Sequence, residues 1–153
     1  MPDYLETTID KFTFRVPTDR VYSSEGLWAL WLREEAGGRV RIGLTDYLQQ
    51  HSGDVAFVDV LPVGTRVGAG DDVGSVETIK VNLSLPSPVD GVIVEVNPAL
   101  ETSPEVINQD PYGRGWLAIV EVTDWEAQRA QLLDPDAYFA QMKGQAEEEV
   151  GDL

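Results

Sequence analysis

The sequence contains no cysteine. Disulfides, iron–sulfur clusters and thiolate zinc sites are therefore excluded, because each is built on sulfur. A single histidine, His51, excludes multi-histidine metal centres. Positive charge is scarce: 11 Lys and Arg stand against 27 Asp and Glu, for a formal net charge of -16 at pH 7. That balance argues against general binding to nucleic acid or to an anionic membrane, both of which need a basic surface. No long hydrophobic run exists either. The longest, Leu27 to Leu32, falls far short of the roughly 20 residues that span a bilayer. The acidic start MPDYLETTID lacks the apolar centre of a secretory signal. A cytoplasmic protein with no membrane and no nucleic-acid partner is the expectation.

What is present is enough for one compact domain: 153 residues, 42% of them hydrophobic. Three stretches differ in composition. Residues 1–26 are a mixed lead-in, in which Phe12, Phe14 and Val16 alternate like a short strand that Pro17 stops. Residues 27–122 are short β-type runs divided by Gly, Pro and Asp and form the main β domain. Residues 123–153 lose the glycine-rich turns and read as a helical segment.

Within the β domain, Leu27–Leu32 and Arg39–Ile42 form a predicted hairpin around Gly37-Gly38. Thr45 caps a short helix from Asp46 to Gln50 that Gly53 closes. Val55–Val60 follows as a strand with apolar residues on both faces. Val89–Val96 alternates again, and Ser103-Pro104 has the cap-then-proline order of another short helix. Trp116–Val122 closes the domain. Many short strands with dense turns indicate a small barrel or flattened sandwich rather than a βαβ sheet. Beyond it, Asp124 and Asp134-Pro135 start two helices, and the second buries Tyr138, Phe139 and Met142. The acidic run Glu147–Glu149 faces an unfavourable helix dipole, so a frayed, solvated tail is expected there.

Only three lysines occur: Lys11, Lys80 and Lys143. Lys80 lies where two predicted strands meet, Val73–Ile79 before it and Val81, Leu83 and Leu85 alternating after it. This sets its amine at the tip of a hairpin, flanked by Ile79 and Val81. A lysine there is ordinarily a solubilising charge. It is also where a modifying enzyme could grip a side chain from outside. The amine would act there in its neutral form, because an ammonium has no lone pair for acylation.

The order of short motifs adds a resemblance. Gly43-Leu44-Thr45-Asp46-Tyr47, Gly53-Asp54-Val55-Ala56-Phe57-Val58, Glu77-Thr78-Ile79-Lys80, Ser87-Pro88-Val89-Asp90-Gly91 and Asp110-Pro111-Tyr112-Gly113-Arg114-Gly115-Trp116 occur in sequence. Together they resemble the glycine cleavage system H protein family of lipoyl carriers. The resemblance implies a mainly β, lipoyl-type barrel-sandwich hybrid of two small antiparallel sheets, followed here by C-terminal helices. It implies lipoic acid in amide linkage at Lys80, with Glu77, Ile79 and Val81 presenting the turn for recognition. It further implies a carrier that is not itself an enzyme. Its partners would be a pyridoxal-phosphate glycine decarboxylase, an aminomethyltransferase, dihydrolipoamide dehydrogenase, and a lipoate ligase or lipoyl transferase.

One departure bears on the partners. The family's early His-x-Trp reads Gly26-Leu27-Trp28 here, without the histidine. Two alternatives therefore stay open: an H-like lipoate-binding protein serving sulfur oxidation with a heterodisulfide-reductase-like complex, and an unmodified interaction module. Other signals carry less. Gly68–Gly74 misses the spacing of a phosphate loop and holds two aspartates that would repel one. His51 is expected in solvent or capping a carbonyl, and Trp28, Trp31, Trp116 and Trp125 as packing.

Overall fold

A computed structural model describes residues 3–32 and 38–151. The strands are β1 (Tyr4–Ile9), β2 (Phe12–Pro17), β3 (Val21–Tyr22), β4 (Leu27–Trp31), β5 (Arg39–Leu44), β6 (Val55–Val60), β7 (Arg66–Val67), β8 (Asp72–Thr78), β9 (Asn82–Pro86), β10 (Gly91–Val96) and β11 (Ala118–Glu121). The helices are α1 (Asp46–Ser52), α2 (Ala99–Thr102), α3 (Val106–Gln109), α4 (Trp125–Arg129) and α5 (Pro135–Gly151). A six-stranded sheet runs β3-β4-β5-β11-β10-β7, and a three-stranded sheet runs β6-β8-β9. Every pairing is antiparallel. The lead-in contributes more than the single expected strand. β1 and β2 pair as a separate hairpin over six rungs, from Tyr4–Pro17 to Ile9–Phe12. The predicted hairpin from Leu27 forms as β4–β5; of its turn glycines, Gly38 is described and Gly37 lies outside the described residues.

Two cores meet at β4. Leu27 and Ala29 face the first, an aliphatic layer between the two larger sheets that includes Ile42, Val76, Leu85, Ile93 and Val120. Trp28 faces the opposite way into an aromatic layer with Phe14, Tyr22, Tyr47, Tyr138 and Met142. This two-sided burial explains why Leu27–Leu32 shows no polar alternation: such a strand has no solvent face. Trp28 donates its indole N–H to Pro111 O at 3.0 Å and lies under the Arg20 guanidinium, 4.7 Å from ring centre to Cζ. Its other contact requires glycine, because a Cβ on Gly43 would fall 2.6 Å from Trp28 Cε2.

The aromatic layer is roofed by α5 and the β1–β2 hairpin. Tyr138, Met142 and Ala146 recur every four residues along α5 and are buried, which is the stripe of a helix docked on one face. Tyr138 stacks on Tyr22 with ring centres 4.6 Å apart and shares a 2.9 Å hydroxyl contact with Thr45. Asp134 Oδ1 accepts from Ala137 N at 2.8 Å, capping the helix as expected. Asp124 does the same for α4 through Ala127 N.

Two local expectations need correction, and a third is met in one of its two forms. The Glu147–Glu149 run does not fray; α5 continues to Gly151. Glu149 falls on the docked side of the helix, where it accepts a hydrogen bond from the Tyr47 hydroxyl and lies 2.9 Å from His51 Nδ1. Tertiary contact outweighs the dipole penalty, which amounts to only about 0.3–1 kcal/mol at an exposed terminus. His51 is exposed to solvent, one of the two places expected for it, and its ring faces a carboxylate and stacks on Tyr47 at 5.7 Å rather than capping a carbonyl. Ser103 ends α2, and its side chain does not cap α3, which starts from Glu105.

Burial holds the phenols of this layer in their neutral form. Tyr138 is pushed up to about 12, chiefly by burial, and Tyr22, Tyr47 and Tyr112 are raised for the same leading reason. A raised phenol contributes stability that is complete below its unfolded value of 10.0 and lost as pH climbs through the folded value. In an alkaline titration, the tyrosinate absorbance of these four rings should therefore appear together with loss of near-UV circular dichroism. Full ionisation with the tertiary signal intact would contradict this packing.

Candidate functional site

Lys80 stands at the tip of the β8–β9 hairpin, exposed, in the turn Thr78-Ile79-Lys80-Val81. The ladder pairs Glu77 with Asn82, and Thr78 N donates to Val81 O at 2.8 Å to close the loop. Val76 and Leu85 point into the core, so the two strands approaching Lys80 are fixed by burial on their inner side. Outside, Ile79 is 78% and Val81 45% exposed, and Glu77 is exposed beside them.

One buried hydroxyl organises the turn. Thr78 Oγ1 donates to Ser52 O at 2.7 Å and accepts the backbone N–H groups of Lys80 and Val81 at 3.1 and 3.0 Å. Ile79 N adds a bond to Asp54 O at 3.2 Å. The tip of the hairpin is thus tied to the corner where α1 turns into β6. That corner is braced from behind by Asn108, whose amide donates to Gly53 O and Gln49 Oε1 at 3.0 Å each and whose oxygen accepts from Val55 N at 2.9 Å.

The helix before the corner is encoded locally. Thr45 accepts from Leu48 N, and Gly53 ends the helix at φ 93° with its N–H bonded to Gln49 O. Gly53 also makes room for the lysine stem, since a Cβ there would lie 2.9 Å from Lys80 Cδ. The stem crosses the glycine, and Nζ donates to His51 O at 3.3 Å. The ammonium therefore sits against the carbonyl end of α1, the end of a helix that favours a cation. Among the described residues, no ion pair engages Lys80. His51 also borders a cleft of about 450 Å³ between α1, β9 and α5, lined in part by Glu25, Leu48, Leu83 and Glu149.

The structure brings all four predicted site residues, Glu77, Ile79, Lys80 and Val81, to one surface. Sequence reasoning missed Thr78 and Gly53 as the parts that hold the lysine, although Thr78 stood inside the quoted Glu-Thr-Ile-Lys motif. Phe57 was also missed as part of this surface; it is 68% exposed and pairs with Glu77. An exposed lysine whose stem rests on a glycine, held by one backbone carbonyl, fits a covalently attached group: nothing has to be unpacked to acylate it.

The sheets define a lipoyl-type barrel-sandwich hybrid with an added N-terminal hairpin and C-terminal helices. The family model for the glycine cleavage H-protein matches residues 20–145. The glycine cleavage system H protein of Cronobacter sakazakii is 46% identical over 125 residues, which is 82% of this chain and 94% of the relative. That of Enterobacter sp. strain 638 is 43% identical over 130 residues, covering 85% and 98%. A crystal structure of a glycine cleavage system H protein from Mycobacterium marinum matches with a TM-score of 0.73 at 37% identity, over 82% of this chain and 98% of that one.

The chain belongs to the glycine cleavage H-protein family. Proteins of this family carry a covalently attached lipoyl group and work with the other glycine cleavage enzymes. The chain is accordingly a lipoyl carrier of that system, without catalytic activity of its own. The β1–β2 hairpin precedes the matched stretch.

Replacing Thr78 by Val should leave two N–H groups and Ser52 O without their partner at the turn. The expected loss is about 1–3 kcal/mol of stability, with faster amide exchange at Lys80 and Val81. Thr78→Ser should restore both, as read by denaturant unfolding and hydrogen exchange.

Proposed function

We propose that Lys80 is the residue that carries the lipoyl group, in amide linkage through Nζ. The observation that carries this reading is the anchored turn: an exposed amine on a backbone that Thr78, Ser52 and Asp54 hold rigid. An activated lipoyl donor loses its leaving group as the amide forms, and the amine releases a proton to solvent. The bound group supplies a dithiolane that accepts and passes on an aminomethyl group together with two reducing equivalents. The protein contributes the fixed base of the arm, which reaches roughly 14 Å when extended. Acylation also removes one positive charge, moving the formal total from -16 to about -17.

Glu77, Ile79 and Val81 present the turn to the lipoyl-attaching enzyme, a lipoate ligase or lipoyl transferase. The loaded arm then serves a pyridoxal-phosphate glycine decarboxylase, an aminomethyltransferase and dihydrolipoamide dehydrogenase. Similarity to glycine cleavage H proteins over more than four-fifths of the chain favours these partners over a sulfur-oxidation complex. We place the work in the cytoplasm; among the described residues no helix is long and apolar enough to cross a membrane. Residues 27–122 act as the carrier domain, flanked by the lead-in 1–26 and the helical segment 123–153.

Intact-mass measurement after incubation with lipoate, ATP and a lipoate ligase should show one lipoyl addition, absent in Lys80→Arg. A persistent apo mass in the wild-type protein, or acylation of the variant, would overturn the assignment. The surplus of carboxylates should also guide basic partners, so association rates with the dehydrogenase should fall as salt rises. Salt-independent association would remove that role.

A further inference from the structure

Strand β6 departs from regular pairing beside the lysine. Val55 opposes Thr78 and Phe57 opposes Glu77, so Ala56 is an extra residue and the register shifts by one. In an unbroken strand Phe57 would point inward with Val55, because alternate residues share a face. The bulge turns it out. Val55 is buried, Ala56 and Phe57 are both exposed, and Val58 resumes the inner face. Bulges bend a strand and re-aim a side chain at the cost of ladder bonding. Here the result is an aromatic residue that is 68% exposed, on a strand whose Val55 and Val58 pack into the aliphatic core.

The ring does not stand alone. Phe57 sits across the ladder from Glu77, within the roughly 5 Å Cβ separation of directly paired residues. Ile79 and Val81 are further exposed apolar side chains, at the tip of the hairpin that β8 begins. Asp59 and Glu77 supply carboxylates beside it, around a groove of about 470 Å³ that also includes Ser75 and Asn82. An apolar centre with charged neighbours is the composition of a docking surface, and aromatic residues are the usual anchors of such surfaces.

We propose that Phe57 is the anchor on which the enzyme that acylates Lys80 docks, through an apolar pocket rimmed by Lys or Arg facing Asp59 and Glu77. This rests on the assignment of Lys80 above. Reach selects the occupant. An unmodified lysine extends only about 6 Å from its backbone, so the acylating active site must cover the turn itself and the adjoining rung of the ladder. Enzymes that meet the finished arm work roughly 14 Å away and need not touch that rung.

The test is steady-state lipoylation of the full chain by purified lipoate ligase, with melting temperature measured alongside. Phe57→Ser should lower kcat/KM by about tenfold, mainly through KM, at a melting temperature within about 2 °C of wild type. Phe57→Leu, which keeps apolar bulk, should recover most of the loss and keeps the question open to measurement if the serine variant does not fold. Phe12, another exposed aromatic, lies on the N-terminal hairpin, and Phe12→Ser should leave kcat/KM unchanged. An unchanged constant in both Phe57 variants, a loss confined to kcat, or an equal loss in Phe12→Ser would overturn the proposal. Failure of the Lys80 assignment would look different: the wild-type chain would take up no lipoyl group, or Lys80→Arg would still be acylated.

Discussion

The bond from the Thr78 hydroxyl to the last carbonyl of α1 is the constraint on which the rest of this molecule depends. A tethered cofactor gains nothing from a floppy base, because motion at the attachment point enlarges the volume the arm must search. Hairpin tips are where backbone motion is normally concentrated. Here a single side chain, 8% exposed, accepts two turn N–H groups and donates to Ser52 O, so the tip moves with a helix terminus instead of with solvent. The helix terminus is fixed in turn by Asn108, which reaches across from α3 to Gly53 and Val55. A chain of buried and half-buried hydrogen bonds therefore runs from the last third of the sequence to the lysine. Each link leaves a costly unpaired group if its partner is removed.

The two-core arrangement serves the same end. The aliphatic layer between the larger sheets fixes the direction of β8 and β9 through Val76 and Leu85. The aromatic layer fixes α1, the other side of the anchor, through Tyr47 against Phe14 with ring centres 5.5 Å apart. Trp28 on β4 belongs to the second layer while its neighbours belong to the first. Displacement of one layer is therefore transmitted to the other through a single short strand.

Much of this was legible in the sequence because it is local. The Thr45 cap, the Gly53 stop, the β4–β5 hairpin and the Asp-Pro start of α5 follow from side chains that satisfy backbone groups a few residues away. The order of the motifs carried the lysine turn and the family. What was not legible depends on distant partners. Nothing near Glu149 announces that His51 and Tyr47, about a hundred residues earlier, would hold it in a helix the dipole disfavours. The exposure of Phe57 is set by where β8 lies, since a bulge exists only relative to the paired strand. The lead-in showed one alternating segment, Phe12 to Val16, whereas β1 with Glu6 and two threonines has too little apolar content to declare itself without its mate.

The N-terminal hairpin lies outside the stretch that the family model matches, yet it leans on α1: Phe14 meets Tyr47, Arg15 N donates to Asp46 Oδ2 at 3.0 Å, and Gln50 donates to Thr13 O at 2.9 Å. Asp46 and Gln50 belong to the helix whose far end bears the lysine turn. With the arm attached at Lys80 as proposed, the hairpin acts as a strut behind the pivot of a swinging crane. Relatives that share the same body but lack such a strut would be expected to differ in how stiffly the boom is mounted, and so in how widely its hook sweeps.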